Sequence, residues 1–443
     1  VRRWSYWLVL LLAVGVHGQG LIGDVWPKVR DAAHARDFAS YYYAAQAAAQ
    51  DRNPYDTRVL GRLARQDGTR RGVHPFFYPP PYLLTVAWVL PLELSTAYRT
   101  WFVLDSLFLL AVLLALIRWL PGPATVLSAA LILVTYTPIP DNHWMGQANL
   151  PVLALVVGSL GLLQRGHARV AGALMGLAAM MKMSPGLIVL WWLLDPARRR
   201  AAWVACGTAI GLSVLALPLV GPDVQAWFYT QVLPGFATGD YNGLTVPITL
   251  SGNHSIANLW AQAFPGDGLT AAARWGSRVS TIGLAVGTLA ALHRVRDAVW
   301  ADPIRLACAS GALVCWMVLI PAYTYEHHLV FLILPWVAVA NAVASRQLPW
   351  GCVPVLIGAY GALAWRLGAI RSALRDLDGA AHLALQEAKF LSIAVLGCAC
   401  LVVALRRPAV APRAAGPGSD RGPASTAPTG PTDSGPAGGT STG

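Results

Sequence analysis

Charge is what this sequence has least of: 12% of its 443 residues are Asp, Glu, Lys or Arg, against about 25% in soluble domains. With 56% hydrophobic residues and a mean hydropathy of +0.50, the composition excludes a water-soluble globular domain and points to a bilayer. Acidic residues are scarcer than basic ones, and the net charge is +12. The excess Arg sits in short clusters between apolar runs, where the positive-inside rule puts it, so a nucleic-acid-binding surface is excluded as well. Cysteine is equally sparse. All six (Cys206, Cys308, Cys315, Cys352, Cys398 and Cys400) fall within apolar runs without paired spacing or accompanying His, which excludes a disulfide framework and a Cys/His metal site.

What the sequence does have is long apolar runs. They lie near 4–20, 99–118, 122–139, 149–164, 169–184, 186–195, 201–220, 276–293, 304–321, 328–345, 348–365 and 388–405, which predicts an all-α, polytopic membrane helix bundle with about twelve transmembrane helices. Residues 1–17 have the charge pattern of a signal peptide but no A-x-A site, so an uncleaved first helix is expected. The stretch 81–92 is short and follows Pro79, Pro80 and Pro81; it reads as re-entrant or interfacial. With that choice the Arg clusters at 2–3, 118, 165–169, 198–200, 294–296, 346 and 406–407 all fall on the cytoplasmic side, together with both termini. Residues 1–407 then form one membrane domain. Residues 408–443, rich in Pro, Gly, Ser and Thr, are expected to be a disordered cytoplasmic tail.

This topology gathers the polar segments 21–80, 140–148, 221–275, 322–327 and 366–387 on the extracytoplasmic face. The first is dense in aromatics: Arg36-Asp37-Phe38, Tyr41-Tyr42-Tyr43-Ala44-Ala45, Asn53-Pro54-Tyr55-Asp56 and Phe77-Tyr78-Pro79-Pro80. An interfacial aromatic belt accounts for the tyrosines, but not for Asp37, a carboxylate placed where it can take a proton from a sugar hydroxyl. The plain alternative is a solvated aspartate paired with Arg36. Three further segments reach the same face: His143 to Asn149, including Gln147; Met181-Lys182-Met183-Ser184-Pro185; and Tyr323 to His328. Lys182, alone in an apolar stretch, either snorkels or meets an anion. His327 and His328 diverge by about 100° if helical, which disfavours joint metal ligation and suits phosphate or sugar contact.

Other signals carry less. Gly18, Gly20 and Gly23 match G-x-G-x-x-G without a preceding strand, Asn253-His254-Ser255 is a lone glycosylation sequon, and Asp376 and Asp378 read as a solvated surface. Asp105, inside an expected span, suits a helix–helix hydrogen bond.

Taken in order, the Asp37-Phe38 and Tyr42-Tyr43-Ala44-Ala45 pieces, Asn53 to Asp56, Phe77 to Pro80, Gly146-Gln147-Ala148-Asn149, Lys182 to Pro185 and Glu326-His327-His328 resemble glycosyltransferase family 87, the polyprenyl-phosphate-dependent enzymes of GT-C fold. The resemblance spans roughly residues 30 to 345. It implies that Asp37 is the general base, that the donor is a polyprenyl-phosphate sugar, most often mannose, and that the acceptor is a glycolipid or cell-envelope glycan. Lys182, His327, His328, Gln147 and Asn149 are then expected at the donor phosphate and sugar. Arg36, Tyr42, Tyr43, Tyr55, Tyr78 and Asn253 are expected to position the acceptor or the loop. The chain departs from the family pattern at His254, where Gln is common, and at Glu326, where Asp is common. A lipid-phosphate leaving group needs less assistance than a diphosphate, so neither a metal nor another cofactor is expected. The competing reading is a transporter or lipid flippase, which would place ionisable groups near mid-bilayer and show related halves; a structural scaffold is a third.

Overall fold

Helices are the only regular structure among the described residues, as lipid requires of backbone that has no water to bond. The computed structural model describes residues 3–32, 35–69, 72–236, 242–243, 246–266 and 269–406; of Arg3 and Arg36 only the backbone is described. The tail expected to be disordered, 408–443, lies outside these residues.

Among the described residues five helices are long and apolar enough to cross a membrane: Trp4–Arg30, Leu94–Trp119, Arg199–Val220, Glu326–Ala344 and Ala388–Leu405. Two bent pairs, Pro123–Thr135 with Pro138–Met145 (60°) and Trp350–Ala364 with Leu367–Leu374 (93°), raise the number to seven if each is one span. The expected count of twelve is therefore not reached. Several of the apolar runs are helices of 10–17 residues, Asn149–Gln164, Ala168–Met181 and Pro303–Leu319, too short for roughly 30 Å of hydrocarbon at 1.5 Å per residue. The run at 186–195 is shorter still, the helix Gly186–Leu194. Ala271–Arg294 has 24 residues, but Arg274, Arg278 and several small polar residues dilute its hydropathy.

The long helices show which face meets lipid. On Leu94–Trp119 the exposed Val103, Leu107, Leu110 and Leu114 recur at helical spacing, while Tyr98, Trp101, Asp105, Leu109, Val112 and Leu116 are buried. An apolar stripe on the outside is the inverse of a soluble helix. At the centre, every residue of Pro303–Leu319 from Arg305 onward is buried.

Close helix packing fixes the frame around the polar region. Gly172 and Gly176 of Ala168–Met181 lie against Arg199–Val220; a Cβ at either would come within 2.4 Å of the Ala201 carbonyl oxygen or 2.5 Å of that of Ala205. Small residues four apart admit this approach, and it holds the helix at whose end Lys182 sits. The first helix runs through a π-helical turn, Leu21–Val25, into Trp26–Arg30, so residues 21–30 extend it. The stretch at 81–92 consists of two short pieces, Tyr82–Val86 and Ala87–Val89.

Candidate active site

Asp37 lies in the first turn of the helix Arg36–Ala49, where the backbone dipole favours a negative charge. Only 7% of it is exposed. Its Oδ2 accepts a hydrogen bond from Gln147 Nε2 at 2.8 Å and its Oδ1 meets His74 Nδ1 at 2.5 Å. Burial works against ionisation, but the His74 bond and charge, the His327 charge and the Gln147 amide outweigh it and hold the carboxyl below the usual carboxylate range.

The aim of Gln147 is fixed from behind. Tyr41 Oη and Tyr78 Oη lie 3.2 and 3.1 Å from its Oε1 and 2.8 Å from each other; with one hydrogen apiece, one hydroxyl donates to the amide oxygen while the other donates to its neighbour, which leaves Nε2 to face Asp37. Tyr41 is four residues after Asp37 and so lies on the same helix face. Gly146 makes the turn that delivers Gln147. It ends the helix Pro138–Met145 at φ +69°, and a Cβ there would lie 2.7 Å from Phe38 Cβ and 2.9 Å from Tyr98 Cε2. Only glycine fits both the dihedral and the space.

A polar chain leads from this centre to Lys182. Asn149 donates to the His327 carbonyl at 2.8 Å and to Asn142 Oδ1 at 2.9 Å, and its own Oδ1 accepts from Lys182 Nζ. Asn142 donates in turn to Asp105 Oδ2 at 2.8 Å, so Asp105 makes the helix–helix hydrogen bond expected of it. Lys182 also sits 5.9 Å from the Tyr78 ring and 6.0 Å from Phe331, within cation–π range. The rings of His327 and His328 are 4.3 Å apart, and His328 Nδ1 accepts from the Tyr325 amide.

These groups border two cavities. The larger, of about 1220 Å³, is lined by Asp37, His74, Gln147, His327, Lys28 and Arg366, among others, with an apolar margin from Val16, Leu133 and Leu367. The smaller, of about 140 Å³, is lined by Lys182, Met183, Phe236, Met317 and Phe331. Phe77, Tyr78, Tyr323 and His328 border both.

The remaining expected residues sit elsewhere. Tyr42 donates to the Leu92 carbonyl and Tyr43 bonds Thr69 Oγ1, each at 2.8 Å, so both anchor loops on other sides of the helix. Tyr55 donates to the Tyr78 carbonyl at 2.7 Å and supports that residue from outside the cavity. Asn253 is buried; it donates to the Ile248 and Ala322 carbonyls and accepts from the Thr324 amide. It thereby clamps the strand-like approach to the His327–His328 turn. The side chain of Arg36 lies outside the described residues. Two site residues had no prior assignment: Tyr41, which helical spacing from Asp37 would have placed, and His74, which meets Asp37 from 37 positions away.

A second acid–histidine pair stands behind the turn. Glu326 Oε1 bonds His254 Nε2 at 2.9 Å and its Oε2 bonds Lys389 Nζ at 2.5 Å. Lys389 also donates to the Trp365 carbonyl at 2.7 Å. Among the described residues no group of three or more His, Cys, Asp or Glu is arranged to hold a metal ion.

The family model for glycosyltransferase family 87 matches residues 76–321, more than half of the 443 residues. Gln147, Asn149, Lys182 and Asn253 fall inside the match; Asp37, His74, His327 and His328 flank it. No match was found among curated proteins or among solved structures.

Proposed function

Since the chain belongs to glycosyltransferase family 87, and is therefore a membrane glycosyltransferase, we propose that it moves a sugar, mannose foremost, from a polyprenyl-phosphate donor to a glycolipid or cell-envelope glycan. The reaction takes place on the extracytoplasmic face, with both termini cytoplasmic; the distribution of Arg clusters supports this orientation.

The observation that carries the reading is a buried carboxylate and a half-buried ammonium lining two adjoining cavities. Asp37 borders only the large cavity and Lys182 only the small one, with Tyr78 and His328 between them. The acceptor hydroxyl enters the large cavity and loses its proton to the Asp37 centre. Its oxygen attacks the anomeric carbon as the bond from that carbon to the phosphate oxygen breaks, and the configuration inverts. The phosphate leaves with the electron pair toward Lys182 and the His327–His328 turn, which balance its charge in a water-poor site. The apolar lining of the small cavity, Phe236, Met317 and Phe331, suits the first isoprene units of the donor. No metal is required for a monophosphate leaving group.

The test is transfer from polyprenyl-phosphate mannose by purified protein. Asp37→Asn is expected to lower turnover by about 10²–10⁴-fold, the usual loss of a general base. Full activity in that variant defeats the base assignment, and strong inhibition by EDTA defeats the metal-free mechanism.

A further inference from the structure

Resting on this reading, we propose that the atom which takes the acceptor proton is Nε2 of His74, and that Asp37 acts on the hydroxyl through this imidazole.

The two residues divide between them what a base needs. Asp37 has each carboxylate oxygen already engaged, Oδ1 by His74 at 2.5 Å and Oδ2 by Gln147 at 2.8 Å, and its side chain is 9% exposed. The His74 side chain is 33% exposed and lines the large cavity. Its Nδ1 is turned to Asp37, and no described residue hydrogen-bonds its Nε2. An imidazole with one nitrogen held by a buried carboxylate and the other open to a cavity is oriented for proton transfer, because the carboxylate selects the tautomer with Nδ1–H and leaves Nε2 as the acceptor.

A histidine that only anchored its loop would not need this arrangement, since the loop is anchored otherwise. The carbonyl of Pro75, the next residue, accepts from Ser40 Oγ at 3.1 Å. Ser40 is three positions after Asp37 on the same helix, so one helical turn holds both the carboxylate and the loop that carries the imidazole. The other titratable groups facing the pair are Tyr41 and Tyr78 beside Gln147, Tyr98, which bonds the Trp144 carbonyl, His327 on the opposite turn and Lys182 beyond it. None of these joins a carboxylate on one side and the large cavity on the other.

In the step itself the hydroxyl proton passes to His74 Nε2 as the acceptor oxygen bonds the anomeric carbon and the phosphate departs with the electron pair of the broken bond. The imidazolium is held by the Asp37 carboxylate through Nδ1–H, then releases the proton to water or to the departing phosphate.

The experiment uses the full chain in detergent, polyprenyl-phosphate mannose as donor and octyl α-mannoside as the acceptor probe. His74→Gln is expected to lower kcat by about 10²–10³-fold with the donor KM little changed. Added imidazole is expected to restore part of the activity of His74→Ala. If His74→Gln stays within about threefold of wild type while Asp37→Asn is dead, Asp37 acts directly and the proposal fails. A loss in both His74 variants without imidazole rescue marks a loop-holding role and also overturns it. Full activity in Asp37→Asn instead defeats the reading on which the proposal rests.

Discussion

The molecule contains two acid–histidine pairs, and they are built for opposite ends. Asp37–His74 stands at the edge of the large cavity, with a third of the imidazole exposed; His254–Glu326 reaches the same cavity through Glu326 alone, its imidazole 3% exposed. The second partners differ as well. Glu326 is matched by the ammonium of Lys389 at 2.5 Å, so its charge is already spent on a fixed cation. Asp37 has only the neutral Gln147 amide on its other oxygen. A carboxylate neutralised by a buried ammonium holds structure together, whereas one shared between an amide and a partly exposed imidazole keeps its charge to orient that imidazole. Residue types alone do not separate the two cases; the third partner and the exposure do.

The comparison can be broken at four points. The largest effect is expected at Lys389→Met, which leaves Glu326 buried without its cation and should cost about 3–5 kcal/mol, read as a fall in thermal unfolding temperature in detergent; the added change Glu326→Gln should recover most of it. A Lys389→Met protein as stable as wild type would show that the Glu326 pair is not an electrostatic clamp. Next, Lys182→Met should lower kcat/KM by about 10²-fold, as loss of one charge-stabilising donor does, with a smaller change in unfolding temperature. The reverse ranking would make Lys182 a structural residue.

The third point sharpens the contrast directly. His254→Gln keeps a donor for Glu326 and should cost about 1 kcal/mol, the worth of one hydrogen bond, with turnover nearly intact, while the same change at His74 removes most of it. Equal losses at the two positions would erase the distinction. The smallest effect concerns pH. The Asp37 carboxyl is held below its ordinary value of 3.8, so its ionisation adds stability that is complete above that value and is lost as pH falls below it through the folded-state pKa. In unfolding measurements from about pH 6 down to pH 3, the gap between wild type and Asp37→Asn should narrow only at the acid end. A gap that instead widens on acidification would contradict the sign of the shift.

Much of this was open to reading from the sequence, for identifiable reasons. Low charge and long apolar runs suffice for an all-helical membrane protein, and the ordered pieces around Asp37, Gln147, Lys182 and His327 do converge on one region. The helix number was not legible, because hydropathy sums apolar length without fixing where each helix starts and stops: the runs at 149–164 and 169–184 read as spans by composition, yet their helices have only 10–17 residues. The tyrosine cluster was only half legible. Tyr42 and Tyr43 are each about 100° round the helix from their neighbours and bond elsewhere, while Tyr41 shares the face of Asp37. His74 was hidden for a different reason: a lone histidine before a proline has no spacing to betray it, and only the folded loop brings it to a carboxylate 37 positions away. The two departures from the family pattern looked unrelated at His254 and Glu326, yet they touch at 2.9 Å and are one contact.

The lining that the two cavities share at Tyr78 and His328 has a kinetic consequence. If the acceptor occupies the large cavity and the lipid donor the small one, as proposed, the two meet at this shared lining and neither has to depart before the other arrives. Initial-rate plots at several fixed acceptor concentrations should therefore give intersecting lines, the signature of a ternary complex. Parallel lines would mean that the two chambers are used in turn.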